Sequence, residues 1–591
     1  MSLVSSKDFA ALLKLDKIPV VGFLVGKFLL FITQLNKANR VYDTYKHKPI
    51  LPYLNGLLNE YEIRFHVSQS DLDKIPKEGA FITISNHPLG GIDGVLLLKN
   101  ILERRDDYKV IANFLLQKQA PVAPYILPVN PFDDRKDDQS SVKGLITSLK
   151  HLKEGKPLGI FPAGEVSTLK ERNIYVDKTW EEGAVKLIKK ANVPVIPVYF
   201  HAKNSRLFYF LSKINPVLRT LKLPSELNNK KRQVIHIKIG DPIKEKEIQK
   251  IDDLNVLNNF LREKTYLLSK SFLRKKKLVK QYRKRLKKRV KQVALPKNQK
   301  DICKEINTIR EQKKRLFVSN EYEVFFTKAN HIPNLMEEIG RLREITFRLI
   351  GEGTNKKCDT DKYDDYYHHL ILWNKEEEKF VGAYRMGLGQ EIFKSGGFKS
   401  FYVANFFNFS SEMNEKLPET IEMGRAFIVP EFQQKPMPLF LLWRGIAAVT
   451  VKYPQYKYLM GGATISNLFT EYSKSMLMYF LDKYYSNAEV KHFITSKNPF
   501  EVDLTASEKL YVENNINGDV KKLDKLIKEV EGDKLRLPVL IKQYIKQNAK
   551  FVAYNIDQDF NDAIDALIFM KINDIPRDTI EPILKDVVIE N

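Results

Sequence analysis

The stretch AFITISNHPLGGIDG, residues 80–94, decides how the first half of the chain folds. Its first seven residues, rich in apolar and β-branched side chains, read as a buried strand. The run stops at Asn86 and passes at once into His87, Pro88 and two glycines, Gly90 and Gly91. Glycines there let the backbone approach a ligand closely. Asp93 follows one turn later. A carboxylate so placed can hold one ring nitrogen of His87 and fix its tautomer, leaving the other to take a proton from an alcohol. A histidine that caps a helix would leave the same letters, so this stretch alone keeps both readings open.

Outward from it, AFITISN (80–86), YKVIANFLL (108–116), PLGIFPAG (157–164), VPVIPVYF (193–200) and QVIHIKIGDP (233–242) read as strands. Helical stretches at 141–154 and 180–191 separate them, and alternation of this kind predicts an α/β domain. A second α/β region begins at Tyr322. It has helical spacing over 338–350, strand-like runs at 368–373, 380–386, 421–428 and 457–465, and a helix over Leu439–Val451. No internal repeat joins the halves. The expectation is two unrelated α/β domains joined by a basic helical linker: 49–250, linker 251–317, and 318–591. Residues 1–48 form a membrane-associating helical segment.

Composition narrows the function. The chain has 591 residues, 97 Lys+Arg and 72 Asp+Glu, a net charge of +25, with 43% hydrophobic residues. Such hydrophobicity excludes global disorder. No run of 20 apolar residues appears, which excludes a multi-span membrane protein. Residues 18–33, IPVVGFLVGKFLLFIT, are apolar but broken by Lys27; they suit a helix in the membrane interface or a buried core helix. The two cysteines, Cys303 and Cys358, exclude a disulfide framework and point to a reducing compartment. No zinc motif such as HExxH is present. Between Lys270 and Lys291 there are 13 Lys/Arg and no acid, with Val279, Tyr282, Leu286, Val290 and Val293 on one helical face. That pattern suits an anionic bilayer, an acidic carrier protein or nucleic acid.

Two further segments extend the His87 reading. Phe161-Pro162-Ala163-Gly164-Glu165-Val166-Ser167 follows one strand, and Val193-Pro194-Val195-Ile196-Pro197-Val198 follows a helix. The order of these motifs over about residues 50–250 resembles the glycerolipid acyltransferase family, which moves a fatty acyl group from a thioester to a hydroxyl. The resemblance implies that His87 is the general base and Asp93 its orienting partner. It places acceptor binding at Gly164 and Glu165, and at Arg135 in the Leu127–Arg135 segment. Two departures stand out. Five residues separate His87 from Asp93 where the family has four. The family's FPEGTRS motif is here FPAGEVS, with Val166 in place of an arginine thought to bind the acceptor's phosphate. Valine cannot bind phosphate, so the expected acceptor lacks one, and Glu165 either meets a cationic head group or serves as a structural cap.

In the second half, Leu342-Arg343-Glu344-Ile345-Thr346-Phe347 is followed by Asp359, Asp361, Tyr363-Asp364 and His368-His369. Then come Val381–Arg385, Glu422-Met423-Gly424-Arg425 and Leu442–Ile446, with Leu537-Pro538, Tyr544 and Asp559-Phe560-Asn561 near the end. Over about residues 320–570 this series resembles the GNAT-related N-acyltransferases that make lyso-ornithine lipid. The turn Gln433–Pro438, where a GNAT would cradle coenzyme A, has no glycine and two prolines, which remove backbone donors. An acyl carrier protein is therefore the expected thioester donor, with no tightly bound cofactor and no metal. An amine must lose a proton before it attacks a thioester, and Glu422 is the first candidate acceptor. Asp361 and Asp364 would hold a cationic amino acid or close a lid. Arg343 and Arg425 would bind its carboxylate or the carrier's phosphopantetheine. His368 and His369 read as structural, and an ion pair is the plain alternative for each charged residue.

The two halves together resemble the bifunctional ornithine lipid synthases of bacteria. The implied activity is N-acylation of an amino acid, ornithine or similar, with a 3-hydroxyacyl group, then O-acylation of the lyso-lipid. The expected partners are acyl carrier protein, an anionic membrane surface, the amino acid and the lyso-aminolipid, with no nucleic acid. The expected location is the cytoplasmic face of the inner membrane, peripheral or monotopic. Two rivals stay open: a lysophospholipid acyltransferase with a non-catalytic C-terminal domain, and a basic membrane- or nucleic-acid-binding protein with degenerate domains.

Overall fold

The computed structural model describes residues 35–129, 138–170, 174–214, 222–223, 225–231, 233–272, 290–350, 352–532, 535–558, 560–579 and 581. The apolar run at 18–33, Arg135 and most of the basic stretch 270–291 lie outside the described residues. Two compact units divide the chain, Met1–Phe272 and Leu273–Asn591. The first runs past residue 250 because helix Leu254–Leu267 buries Leu257, Phe260 and Leu261 within it. Among the described residues, no helix is long and apolar enough to cross a membrane. Cys303 and Cys358 are free thiols.

The first unit contains β1 (Arg64–His66), β2 (Ile82–Ser85), β3 (Lys109–Asn113), β4 (Ile126–Val129), β5 (Leu158–Ile160), β6 (Thr168–Lys170), β7 (Ile174–Val176), β8 (Val195–His201) and β9 (Val234–Ile239). Seven make one sheet in the order β1-β9-β8-β2-β5-β3-β4, while β6 and β7 form a separate antiparallel pair. All pairs in the sheet are parallel except β8–β9. β2 lies at its centre with all four residues buried, Ile82 and Ile84 alternating with the small polar Thr83 and Ser85. Asn86, just past β2, is clamped to β8: its amide donates to the Phe200 carbonyl at 3.1 Å and its Oδ1 accepts from Phe200 N at 2.7 Å. The chain then turns into helix α1 (Gly91–Leu102), which buries Ile92, Leu96, Leu97 and Ile101.

The second unit contains β10 (Arg315–Ser319), β11 (Tyr322–Lys328), β12 (His368–Asn374), β13 (Lys379–Leu388), β14 (Phe407–Phe409), β15 (Thr420–Ile428), β16 (Tyr458–Ile465), β17 (Ile494–Ser496), β18 (Phe551–Asp557) and β19 (Ala563–Lys571). Eight of them form the sheet β10-β11-β12-β13-β15-β16-β19-β18. Every pair is antiparallel except β15–β16. The strand runs expected from sequence are β12, β13, β15 and β16. Helix α2 (Pro333–Leu349) precedes β12, and helix α3 (Met437–Lys452) links β15 to β16. The latter is apolar nearly all round and packs closely: a Cβ on Gly445 would lie 2.9 Å from Leu370 Cδ1.

Candidate active sites

In the first unit the strand-to-helix turn brings His87 and Asp93 together, with Nδ1 3.1 Å from Oδ2. Asp93 is fully buried, while His87 keeps 19% of its side chain exposed, enough for a substrate to reach it. Gly90, between the two, has φ +80°, a conformation that glycine adopts freely. The backbone N–H groups of Leu89 and Gly90 donate to Asp93 Oδ2 at 2.8 and 3.1 Å. Burial raises the Asp93 pKa, and His87 with these N–H donors pulls against that rise.

The FPAGEVS segment meets the histidine directly. The Phe161 ring lies 4.3 Å from the His87 ring, centre to centre, and Ser167 N donates to the His87 carbonyl at 2.8 Å. Asp177 is a residue that sequence reading passed over. Fully buried, it accepts from His87 N at 3.2 Å and from Ser167 Oγ at 2.5 Å, tying both segments together. Its only local signal is an acid just after β7. Gly164 adopts φ +66°. Glu165 pairs with Lys178. Val166 sits in an apolar cluster with Phe208, Tyr209 and Leu223.

In the second unit Arg343, Asp361, Asp364 and Arg425 come together, joined by Asp359 and Arg385. Arg343 donates through Nε to Asp359 Oδ2 at 3.0 Å and through Nη2 to Asp364 Oδ2 at 2.9 Å. Arg385 Nη1 donates to Asp361 Oδ1 at 2.6 Å and Asp364 Oδ1 at 3.2 Å. Arg425 Nη2 lies 3.5 Å from Asp359 and 3.6 Å from Asp361. Three guanidiniums thus meet three carboxylates. Burial alone would raise the Asp364 carboxyl, but Arg343 and Arg385 hold it well below the usual range. Tyr402 covers the cluster, its ring 4.8 Å from the Arg385 guanidinium and 5.3 Å from that of Arg425.

Arg425 owes its direction to a β-bulge. β13 and β15 pair Arg385 with Gly424 and then Ala383 with Phe427, so Arg425 and Ala426 together oppose Tyr384. Arg425 takes φ +50° at this point. A bulge re-aims a side chain and bends its strand. Here it swings Arg425 onto the face that carries Arg385 and Tyr402. The parallel pairing of β15 with β16 ends just before it, at Met423 and Gly461, although the strands continue to Ile428 and Ile465. An opening between two strands results. A Cβ on Gly424 would meet nothing within 4 Å there.

Glu422 lies deeper on the same strand. It is buried and accepts from the Tyr367 hydroxyl, from Tyr402 N at 3.1 Å and from Val403 N at 2.8 Å. Its carboxylate ties the Tyr402 loop to β15, and burial raises its pKa. His369 is buried against the Asp364 carbonyl at 3.0 Å, and burial pushes its pKa down to about 4. The ring of His368 stacks on Phe326. Among the described residues no group of three His, Cys, Asp or Glu is arranged to hold a metal.

With the geometry of both sites established, comparison with known proteins supplies the class. The acyltransferase family model matches residues 21–274, and the acetyltransferase (GNAT) domain model matches residues 342–443. A glycine N(alpha)-acyltransferase of Phocaeicola vulgatus is 34% identical over 286 residues, covering 46% of this chain and 86% of that protein. The glycine N(alpha)-acyltransferase of Bacteroides thetaiotaomicron is 30% identical over 282 residues, covering 45% and 82%. A lyso-glycine lipid O-acyltransferase of the same organism is 28% identical over 228 residues, covering 37% and 80%. The protein is an acyltransferase, with an acyltransferase domain followed by a GNAT-type domain. It belongs to the family of these N-acyltransferases.

Proposed function

We propose that the chain makes a two-chain amino-acid lipid by two successive acyl transfers. The second unit joins a 3-hydroxyacyl group, delivered as a thioester, to the α-amine of an amino acid. The first unit then esterifies the hydroxyl of that one-chain product. One observation carries this reading: a single chain matches both a glycine N(alpha)-acyltransferase and a lyso-glycine lipid O-acyltransferase.

In the first unit, His87 takes the hydroxyl proton as the oxygen attacks the thioester carbonyl, and Asp93 steadies the ring and the imidazolium that forms. As the C–O bond is made the C–S bond breaks, and the imidazolium returns its proton to the departing thiolate. The acceptor bears a carboxylate and no phosphate, in keeping with Val166 packed among apolar side chains. Gly164, Glu165 and Arg135 remain the acceptor-side residues of this proposal. In the second unit, Arg425 and Arg343 act on anionic parts of the substrates or organise the site. Glycine is the acceptor favoured by the relatives.

An acyl carrier protein is the proposed donor, because Pro438 removes a backbone donor from the first turn of α3. The net charge of +25 suits both an acidic carrier and an anionic membrane. The proposed location is peripheral or monotopic on the cytoplasmic face of the inner membrane.

The test is expression in a bacterial host fed ¹³C-glycine or ¹³C-ornithine, with lipid extracts read by mass spectrometry. The expected result is a new two-chain lipid whose head group carries the glycine label, replaced in His87→Ala by its one-chain precursor. Label from ornithine alone would overturn the glycine assignment. A change confined to phospholipid chains would favour the lysophospholipid acyltransferase.

A further inference from the structure

The ion-pair cluster of the second unit does not include Asp565. β16 and β19 stay paired beyond the point where β15 departs, through Thr464–Asp565 to Ile465–Ile564. Side chains alternate along a strand. Phe569 and Leu567 of β19 share an apolar cluster with Met460, Phe401 and Val403. Asp565, two residues further, therefore lies on the same face, at the open end. Thr464 Oγ1 donates to Asp565 Oδ1 at 2.9 Å, and Oδ2 has no hydrogen-bond partner among the described residues. The residue is deep-set yet partly exposed. Beside it, Gly462 is exposed, and a Cβ there would lie 4.0 Å from Asp565 Oδ1.

The charged and titratable groups facing Asp565 come from every side of the opening. They are Arg425 of β15, Tyr402 of the covering loop, Asp557 of β18 and Glu352 just after α2. Burial, and then Asp557, push Asp565 up to about 7, against the pull of Thr464 and Arg425. Burial, and then Asp565, push Glu352 up to about 7 as well. The segment carrying Glu352 is fixed, because buried Glu344 accepts from Thr354 N at 3.0 Å and Asn355 N at 2.8 Å. Glu422, by contrast, has both oxygens engaged by Tyr367 and the loop backbone.

We infer that Asp565, lining the opening between β15 and β16 with one oxygen unengaged, is the base that deprotonates the acceptor amine in N-acyl transfer. This rests on the N-acyl reading above. The acceptor's ammonium gives one proton to Asp565, which releases it to solvent. The neutral nitrogen attacks the thioester carbonyl. The C–N bond forms, the C–S bond breaks, and a second nitrogen proton ends on the departing thiolate. A base that titrates near neutrality suits this task.

The test uses the purified full chain with an acyl carrier protein thioester. Two acceptors are compared across pH 5–9: glycine, and aminoacetonitrile, whose amine is already neutral at pH 7. With glycine, the wild type loses kcat as Asp565 is protonated below about pH 7. Asp565→Asn should lower kcat for glycine by about 100-fold or more, leave KM within about threefold, and abolish that acid limb. With aminoacetonitrile its loss should stay below about tenfold. Retained O-acyl transfer shows that the variant chain folds in its first unit, and a cooperative melt reports the second. Thr464→Val, which removes the donor to Oδ1, should move the acid limb to higher pH. An Asp565→Asn rate equal to wild type, or an equal loss with both acceptors and an unmoved limb, overturns the assignment. A wild-type chain that acylates no amino acid overturns the N-acyl reading and the assignment with it, so the wild-type rate tells the two failures apart.

Discussion

The two units solve the problem of placing polar chemistry in opposite ways. In the first, seven consecutive residues, His87 to Asp93, carry the acting pair, and the rest of the fold supplies apolar packing around it. His87 is reachable, Asp93 is sealed, and a single buried acid, Asp177, braces the turn from behind. In the second, six charged residues from four separate stretches of chain, Arg343 to Arg425, neutralise one another in the interior. Reactivity there falls to whatever the network leaves unpaired. A compact motif makes a site that a point mutation silences; a dispersed network makes one that a point mutation unfolds.

Asp93→Asn tests the first half of that contrast and should show the largest effect. An amide keeps the size of the carboxylate but no longer fixes the donor tautomer of His87 or steadies an imidazolium. O-acyl transfer by the full chain should fall about 10²–10⁴-fold. N-acyl transfer and the melting profile should stay close to wild type. Assay of both products from one preparation checks this. Equal loss of both activities would mean that the pair is chiefly structural and that the contrast fails.

Arg343→Met tests the other half. The side chain is buried, and removing it strands Asp359 and Asp364 without their principal cation. Breaking a buried ion pair by removing one partner costs about 3–5 kcal/mol. Hydrogen exchange across residues 340–430 in rising urea should show the second unit opening earlier, with the first unit's peptides unchanged. A variant as stable as wild type but inactive in N-acyl transfer would instead make Arg343 a ligand-binding residue, as the sequence pattern first suggested.

The same contrast explains what could be read from the letters. The His87–Asp93 site is legible because its members are neighbours and β2 is a short, β-prone run that leads straight into them. In the second unit, β12, β13, β15 and β16 were legible for the same reason. The outer strands β10, β11, β18 and β19 are not singled out by the letters, although β10 pairs with its neighbour β11 and β18 with its neighbour β19. Arg343, Asp361, Asp364 and Arg425 were recognised as a set only through family resemblance; their mutual pairing is invisible in one dimension. Arg385 and Asp359 were noticed without a role. Asp565 gave no signal at all, because its position depends on a bulge on β15 and on the register between β16 and β19. Asp177 was missed for a like reason, its partners lying ten and ninety residues away.

Gly90→Ala gives the smallest effect and the sharpest view of how the first site tolerates its unusual spacing. Five residues separate His87 from Asp93, yet the two side chains still lie 3.1 Å apart. Gly90, with its left-handed φ of +80°, stands just before α1 begins. An alanine there is strained by about 1–2 kcal/mol. Its Cβ would also press on Leu223 Cδ2 at 3.0 Å and Val166 Cγ2 at 3.3 Å. Those side chains belong to the apolar cluster that stands where the family places an arginine. The turn should open slightly, weakening the N–H contacts to Asp93. O-acyl transfer should fall by up to about 10²-fold, as small misplacements of reacting groups do, and the first unit should lose about 1–2 kcal/mol in urea unfolding. Pairing the substitution with deletion of Ile92 restores the four-residue interval. Recovery of activity in the double variant would show that Gly90 exists to accommodate the extra residue. Continued loss would assign the glycine to close packing against Leu223 and Val166.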